Sequence, residues 1–222
     1  GLPDSSIDYE IWSPPFRGLY VYSNSDRDFA NNSDDGVFAE HYRFLCAELF
    51  RVMKPGRLFS VHCMVLPTSK SRDGVIGLSD FPGELIKVHQ DSGMIYHSKV
   101  IIWKDPVTAM QRTKSIGLLH KQIVKDSCMS RQGVPDELLT FRKPGINLEP
   151  VTGRLDTFVG ENPPALGEDA TRNSINIWQR YASPVWMDIN PSDTLQFRSA
   201  RENEDERHIC PLQLDVIRRG IQ

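Results

Sequence analysis

The sequence predicts an α/β domain, because helical and strand patterns alternate along the chain. From Val37 to Met53 apolar residues recur at helical spacing, Lys54-Pro55-Gly56 ends that pattern, and Leu58 to Leu66 is an apolar run rich in strand formers. The order repeats, with a helical pattern from Phe81 to Ser92 and a strand pattern from Ile95 to Trp103. A helix, a tight turn and a buried strand form one αβ step of a sheet, so two such steps favour a layered α/β fold.

Shorter elements flank these two steps. Ile7 to Trp12 and Leu138 to Arg142 are short runs of strand formers, and both are predicted to be strands. Pro211 to Ile221 has helical spacing, with its proline in a first turn where no hydrogen bond is lost. Leu19 to Gly36 and the stretch 144–169 are rich in turn-forming residues and have no sustained period, which predicts loops.

The composition is that of one ordinary globular domain. With 222 residues the chain can bury a substantial core, and its formal net charge of −3 means that any nucleic-acid contact must come from a local basic patch. The sequence has no apolar run of membrane-spanning length and no signal-type amino terminus, which favours a cytoplasmic protein. Its cysteines lack the spacing of a zinc site, which predicts reduced thiols and no metal: Cys46, Cys63, Cys128 and Cys210.

The most specific local feature is Ser13-Pro14-Pro15-Phe16, directly after the first predicted strand. Open α/β sheets bind their ligands at the carboxyl ends of strands. Two prolines fix the backbone so that a carbonyl can point into a pocket, and Phe16 can offer a flat face to a ring. For the tetrapeptide taken alone, a proline-rich strand end with an ordinary core phenylalanine is the alternative interpretation.

These groups suit a planar substrate that carries an amine. An exocyclic base amine is a poor nucleophile because its lone pair is delocalised into the ring. Hydrogen bonds from its N–H groups to the Ser13 oxygen and to a proline carbonyl would favour a tetrahedral nitrogen and stabilise the positive charge that develops on it. The base would be flipped out of its duplex and stacked on Phe16. Such catalysis needs neither a metal nor a nucleophilic side chain.

The chain resembles the DNA amino-methyltransferases that act on cytosine N4 or adenine N6, in the permuted β-class where the catalytic motif precedes the donor-binding motif. Ser13-Pro14-Pro15-Phe16 is similar to the family's [D/N/S]-P-P-[Y/F/W] motif. Further segments match in the family's order: Leu2 to Asp8, Glu48 to Gly56, Leu138 to Lys143, Val185 to Ile189 and His208 to Pro211.

The resemblance implies a Rossmann-like methyltransferase fold with a mixed sheet, and S-adenosylmethionine as the methyl donor. It places His208, Cys210 and Pro211 near that donor. The family's glycine-rich F-x-G-x-G donor loop is not in the sequence. We therefore expect an incomplete fold without its first βα units, in a phage- or prophage-type fragment that binds the donor weakly and transfers little or no methyl.

Three regions are expected: a catalytic part over 1–143, a recognition-type insert or loop over 144–184, and a return to the methyltransferase domain over 185–222. From Lys99 to Lys143 the chain has nine Lys or Arg residues against four Asp or Glu residues. Beside a base-handling motif we interpret this segment as a phosphate-binding surface that contacts DNA through Lys114, Lys121, Lys125 and Arg131. A solvated helical face is the alternative.

The expected function is methyl transfer from S-adenosylmethionine to an exocyclic amine of double-stranded DNA, as in restriction-modification systems. In the family that the chain resembles, serine at the first motif position is more typical of cytosine-N4 enzymes, so the resemblance favours cytosine N4 over adenine N6. Two other classes stay open: an inactive DNA-binding remnant of such an enzyme, and a different nucleotide-handling enzyme, which would need a G-x-G-x-x-G motif that the sequence lacks. His62, in an apolar strand, is interpreted as a core residue. The sequence leaves the oligomeric state open.

Overall fold

A computed structural model describes residues 1–16, 35–113, 115–150, 169–195 and 211–221. The strands are β1 (Glu10–Trp12), β2 (Leu58–Met64), β3 (Leu66–Thr68), β4 (Gly77–Ser79), β5 (Ile95–Ile102), β6 (Asp136–Arg142) and β7 (Val185–Trp186). The α-helices are α1 (Asp35–Val52), α2 (Lys70–Asp73), α3 (Phe81–Asp91), α4 (Pro106–Thr113), α5 (His120–Lys125), α6 (Ala170–Tyr181) and α7 (Leu214–Ile221).

The main sheet has the strand order β1-β2-β6-β5-β7, and β3 pairs with β4 separately. β1 is parallel to β2, β5 is parallel to β7, and β6 is antiparallel to both of its neighbours. The predicted mixed sheet is therefore confirmed. Since β1, β2 and β5 run in the same direction, their carboxyl ends meet at one edge of the sheet, together with the start of β6.

The two faces of the sheet carry different helices. On one face, α1 and α3 pack with alternate residues of β2 and β6, and their shared core includes Tyr42, Leu85, Val61 and Leu139. On the other face α7 packs with the opposite alternation, so that Val216 lies with Leu138, Ile102 and Trp186. Strand side chains alternate between faces, so this division assigns a side to each residue at the sheet edge.

Most predicted elements are present. Two helices begin at residues other than those predicted, and α6 lies where no helix was predicted. α1 begins at Asp35, inside the loop predicted to reach Gly36. α7 begins at Leu214, after Pro211. α6 lies in the region 144–184, for which no helix was predicted, and the Asp169 carboxylate accepts the first backbone N–H groups of that helix.

The described part of the chain contains no helix long and apolar enough to cross a membrane. Within the same residues, no group of three His, Cys, Asp or Glu side chains could hold a metal ion. Cys46 and Cys63 are buried free thiols, Cys128 is an exposed free thiol, and Cys210 lies outside the described residues.

Candidate active site at the carboxyl end of the sheet

Ser13 follows β1 directly and stands beside β2. Its hydroxyl donates a hydrogen bond to the backbone carbonyl of His62, with 3.0 Å between the two oxygens. A hydroxyl has one donor hydrogen and two acceptor lone pairs, so a hydroxyl that already donates is left to accept. The sheet therefore presents the Ser13 oxygen as an acceptor, which is what an amine N–H requires.

The two prolines supply further acceptors at the same place. Pro14 is buried and Pro15 is half-buried. No backbone N–H of the described residues donates to either carbonyl. Proline itself has no N–H, so this corner of the chain adds acceptors without adding competing backbone donors.

Phe16 does not present an open face in this structure. Its ring is only 5% exposed and lies edge-on to Phe81, the first residue of α3, with 6.2 Å between ring centroids. Phe81 in turn contacts Phe38 of α1 at 5.4 Å. Stacking of Phe16 on a base thus stays a prediction, and it requires the ring to turn away from Phe81.

Behind Ser13, His62 is grouped with Asp136 and Lys104 on the α7 face, and the first two of these three ionisable side chains are buried. The His62 Nε2 lies 3.2 Å from Asp136 Oδ2, and Lys104 pairs with the other oxygen of the same carboxylate. Burial raises the pKa of Asp136, but its interactions with His62 and Lys104 lower it by more, so the pKa lies below its ordinary value. The carboxylate is therefore held ionised in a buried place.

The strands under the site are tied together by hydroxyl groups. The Tyr9 hydroxyl donates to Ser60 Oγ at 2.9 Å, and Ser60 Oγ lies 3.0 Å from Thr140 Oγ1. Desolvation by burial is the main cause that raises the pKa of Tyr9, so this phenol keeps its proton as a donor. These contacts link β2 to β6 and to the residue before β1, the strand that leads into Ser13.

Only some of the other predicted site residues belong to the part of the chain that the structure describes. Lys114, His208 and Cys210 lie outside the described residues, and Pro211 is half-buried ahead of α7. Arg131 donates to Ser115 Oγ at 2.8 Å and to the Gln132 carbonyl at 3.0 Å, and burial lowers its pKa. Arg131 is thus engaged within its own loop region, and its contact with DNA stays a prediction.

Lys121 and Lys125 fit the sequence prediction better. Both are exposed and stand one turn apart on α5, so their ammonium groups can face solvent on the same side. α5 packs against the short turns at 116–118 and 127–129. Some basic residues of this segment therefore pair with acidic residues of the same chain, as Lys104 does with Asp136. Others, such as Lys121 and Lys125, are exposed at the surface.

Comparison with known proteins gives structural neighbours only. No protein-family model matches the chain, and no curated protein sequence does. A candidate DNA modification methylase from Thermus thermophilus, complexed with S-adenosyl-L-methionine, aligns with TM-score 0.54 and 16% identity over 85% of this chain and 61% of that one. Its selenomethionine form aligns with TM-score 0.53 and 15% identity over the same shares. The cytosine-N4-specific PvuII DNA methyltransferase aligns with TM-score 0.43 and 16% identity, over 64% of this chain and 45% of that one.

This likeness shows the fold. The chain has the Rossmann-like α/β fold of S-adenosylmethionine-dependent methyltransferases, as its sequence predicted. It spans about 61% of the length of the Thermus structures that it matches.

Proposed function

We propose that this chain carries the base-handling part of a DNA methyltransferase that transfers a methyl group from S-adenosylmethionine to an exocyclic base amine. The observation that carries the proposal is the Ser13 oxygen, set as an acceptor at the carboxyl end of β1 in a methyltransferase-type sheet. The carbonyls of Pro14 and Pro15 follow it directly. An amine has two N–H groups, and two acceptors of this kind can orient both.

The mechanism follows from that arrangement. When its N–H groups donate to Ser13 and to a proline carbonyl, the amine nitrogen turns tetrahedral and its lone pair points away from both acceptors. S-adenosylmethionine supplies an electrophilic methyl group on a positively charged sulfur. The acceptors stabilise the positive charge that grows on the nitrogen as the N–C bond forms. Pro211, together with His208 and Cys210, is proposed to lie near the donor.

Cytosine N4 is the proposed target rather than adenine N6, on the serine that begins the motif. Double-stranded DNA is the proposed substrate, with the target base flipped out of the helix. The region 144–184 is proposed to contribute to recognition. Its helix α6 is compatible with such a surface, because Arg172, Trp178, Gln179 and Arg180 are exposed on it.

Replacing Ser13 or Phe16 in the full-length protein should separate catalysis from binding. We expect Ser13→Ala to lower the methyl-transfer rate about 100-fold, the effect of losing one oriented hydrogen bond to a developing charge. Phe16→Ala should also lower the rate, because the flipped base loses its stacking partner. DNA affinity, measured by fluorescence anisotropy, should change much less in both variants.

Ser98→Ala is the matched control, since Ser98 is exposed on β5 away from the motif. Equal losses of DNA affinity and turnover in Ser13→Ala would argue against the proposed role. DNA binding without donor binding or methyl transfer in the wild type would instead favour the inactive remnant.

Charge reversal on α5 should act on DNA affinity alone. We expect Lys121→Glu and Lys125→Glu each to weaken binding to all sequences and to lower the slope of log affinity against log salt by about 1, because each lysine neutralises one phosphate. Lys87→Glu on α3 is the control, as its side chain is 74% exposed on a different helix. A salt slope that stays at the wild-type value would mean that α5 is a solvated helical face and does not contact DNA phosphates.

A further inference from the structure

We propose that His62 accepts the proton that methyl transfer releases, and that Asp136 is the positioning residue that holds its ring. This inference rests on the proposed function and deepens it. The sequence interpreted His62 as a core residue, and the resemblance assigns no role to it.

The reaction needs such an acceptor. The amine nitrogen uses its lone pair to form the N–C bond, and the C–S bond breaks with its electron pair left on sulfur. The methylated nitrogen then carries one proton too many, which must leave to restore the neutral base. Ser13 is a poor acceptor for that proton because a serine hydroxyl is a very weak base, and its oxygen is already committed to orienting the amine. An imidazole can take the proton up and pass it to solvent.

The geometry brings an imidazole to this position. Trp12 of β1 pairs with Val61 of β2, so the next residues, Ser13 and His62, stand side by side. Trp12 and Val61 both belong to the α1 and α3 face, which puts the side chains of Ser13 and His62 on the opposite face. The hydrogen bond from Ser13 to the His62 carbonyl confirms that the two residues are adjacent.

The nitrogens of the His62 ring are able to form hydrogen bonds that the described residues do not supply. The residue is only 6% exposed, yet neither ring nitrogen has a partner with hydrogen-bond geometry among the described residues. Its Nε2 is at ion-pair distance from Asp136 but is not aligned for a linear bond. Buried polar atoms are normally satisfied, and catalytic hydrogen bonds often tighten only in the complex with substrate.

The charges around the ring suit proton uptake. Asp136 is 1% exposed and Lys104 pairs with one of its oxygens, so the carboxylate beside the His62 ring is held ionised and can stabilise positive charge that arrives there. An ion pair between Asp136 and Lys104 with only a structural role would not need His62 beside it. Glu137, the next residue on β6, points to the other face and pairs with Lys99 at 3.2 Å. The His62 side chain, with Asp136, lies on the same face of the sheet as the Ser13 side chain.

Methyl transfer by the full-length protein, measured over a range of DNA and donor concentrations up to saturation, tests the catalytic step. His62→Gln cannot take up the proton, and we expect the rate constant to fall about 100-fold while KM for DNA and donor stay unchanged. His97→Gln, the same substitution at an exposed position of β5, should leave the rate unchanged. A wild-type rate in His62→Gln, or a loss confined to KM, would overturn the role of His62.

Nitrogen NMR of this chain tests the arrangement without any activity. We expect His62 to carry its proton on Nε2 and to keep Nδ1 as the free acceptor, and we expect Asp136→Asn but not Glu137→Gln to shift its ring signals. A proton on Nδ1 would overturn the inference whatever the enzyme does. If the wild type transfers no methyl group to DNA while the NMR signature is present, the proposed function fails and the His62 arrangement stands.

Discussion

Mild acid should destabilise this protein through one buried histidine. His89 of α3 is fully buried, and burial lowers its pKa from 6.5 to about 3. Its ring contacts Tyr42 Oη at 3.1 Å and Cys46 Sγ at 3.5 Å, and it packs on Phe141 with 4.5 Å between ring centroids. None of these neighbours carries a negative charge that would favour an imidazolium.

The sign of the effect follows from the direction of the shift. The unfolded chain takes up a proton on His89 below its ordinary pKa, while the folded protein does not do so until about pH 3. The contribution to stability is therefore complete above pH 6.5 and is lost as the pH falls toward 3. The loss of unfolding free energy should amount to about 3 kcal/mol by pH 4.

Urea unfolding across this pH range measures the effect. His89→Gln removes the titrating ring and keeps a polar partner for Tyr42, so it should be less stable at neutral pH but should lose less stability in acid. His97→Gln, at an exposed position, should keep the wild-type slope. A wild-type unfolding free energy that is flat between pH 7 and pH 4 would contradict a neutral buried His89.

Asp136→Asn should produce the other large loss of stability. The substitution removes the one negative charge that Lys104 and His62 share in a buried place. Breaking a buried ion pair costs about 3 to 5 kcal/mol, and we expect the lower end because the Lys104 side chain is one-third exposed. The urea midpoint should fall with little change in the m-value.

Glu137→Gln is the matched control, one residue along the same strand. Its partner Lys99 is 41% exposed, so solvent can take over the lost interaction, and we expect a loss of about 1 kcal/mol. Equal losses of unfolding free energy at the two positions would mean that the contacts of Asp136 with His62 and Lys104 stabilise the fold no more than the contact of Glu137 with Lys99. The Asp136 contribution is present above the ordinary carboxyl pKa and should be lost as the pH falls from there through the lower pKa of the folded protein.

The sheet could be predicted from sequence where the pattern is local. β2 and α3 follow from apolar period and from the turn at Gly93, whose φ of +91° suits glycine. The antiparallel direction of β6 does not follow from its own residues, since a buried strand reads the same in either direction. α6 escaped prediction because its residues are exposed or half-buried and no apolar stripe reaches the core.

In the site, too, the local features could be predicted from sequence and the long-range contacts could not. The Ser13 motif is contiguous, so its residue types and its strand end could be predicted together. His62, Asp136 and Lys104 are far apart in sequence, and only the pairing of β2 with β6 brings the first two together. One signal was present: Asp136 and Glu137 begin an apolar strand, and acidic residues are rarely buried unless they are paired. The burial of Phe16 against Phe81 also depends on the packing of α3, which no local pattern gives.

The central claim is that Ser13 orients an exocyclic amine for methylation. Mass spectrometry of nucleosides from DNA treated with the full-length protein and isotope-labelled S-adenosylmethionine tests it most directly. We predict labelled N4-methylcytosine that is nearly lost in Ser13→Ala and retained in Ser98→Ala. Label on a carbon atom of the base, or full labelling by the folded Ser13→Ala variant, would contradict the account.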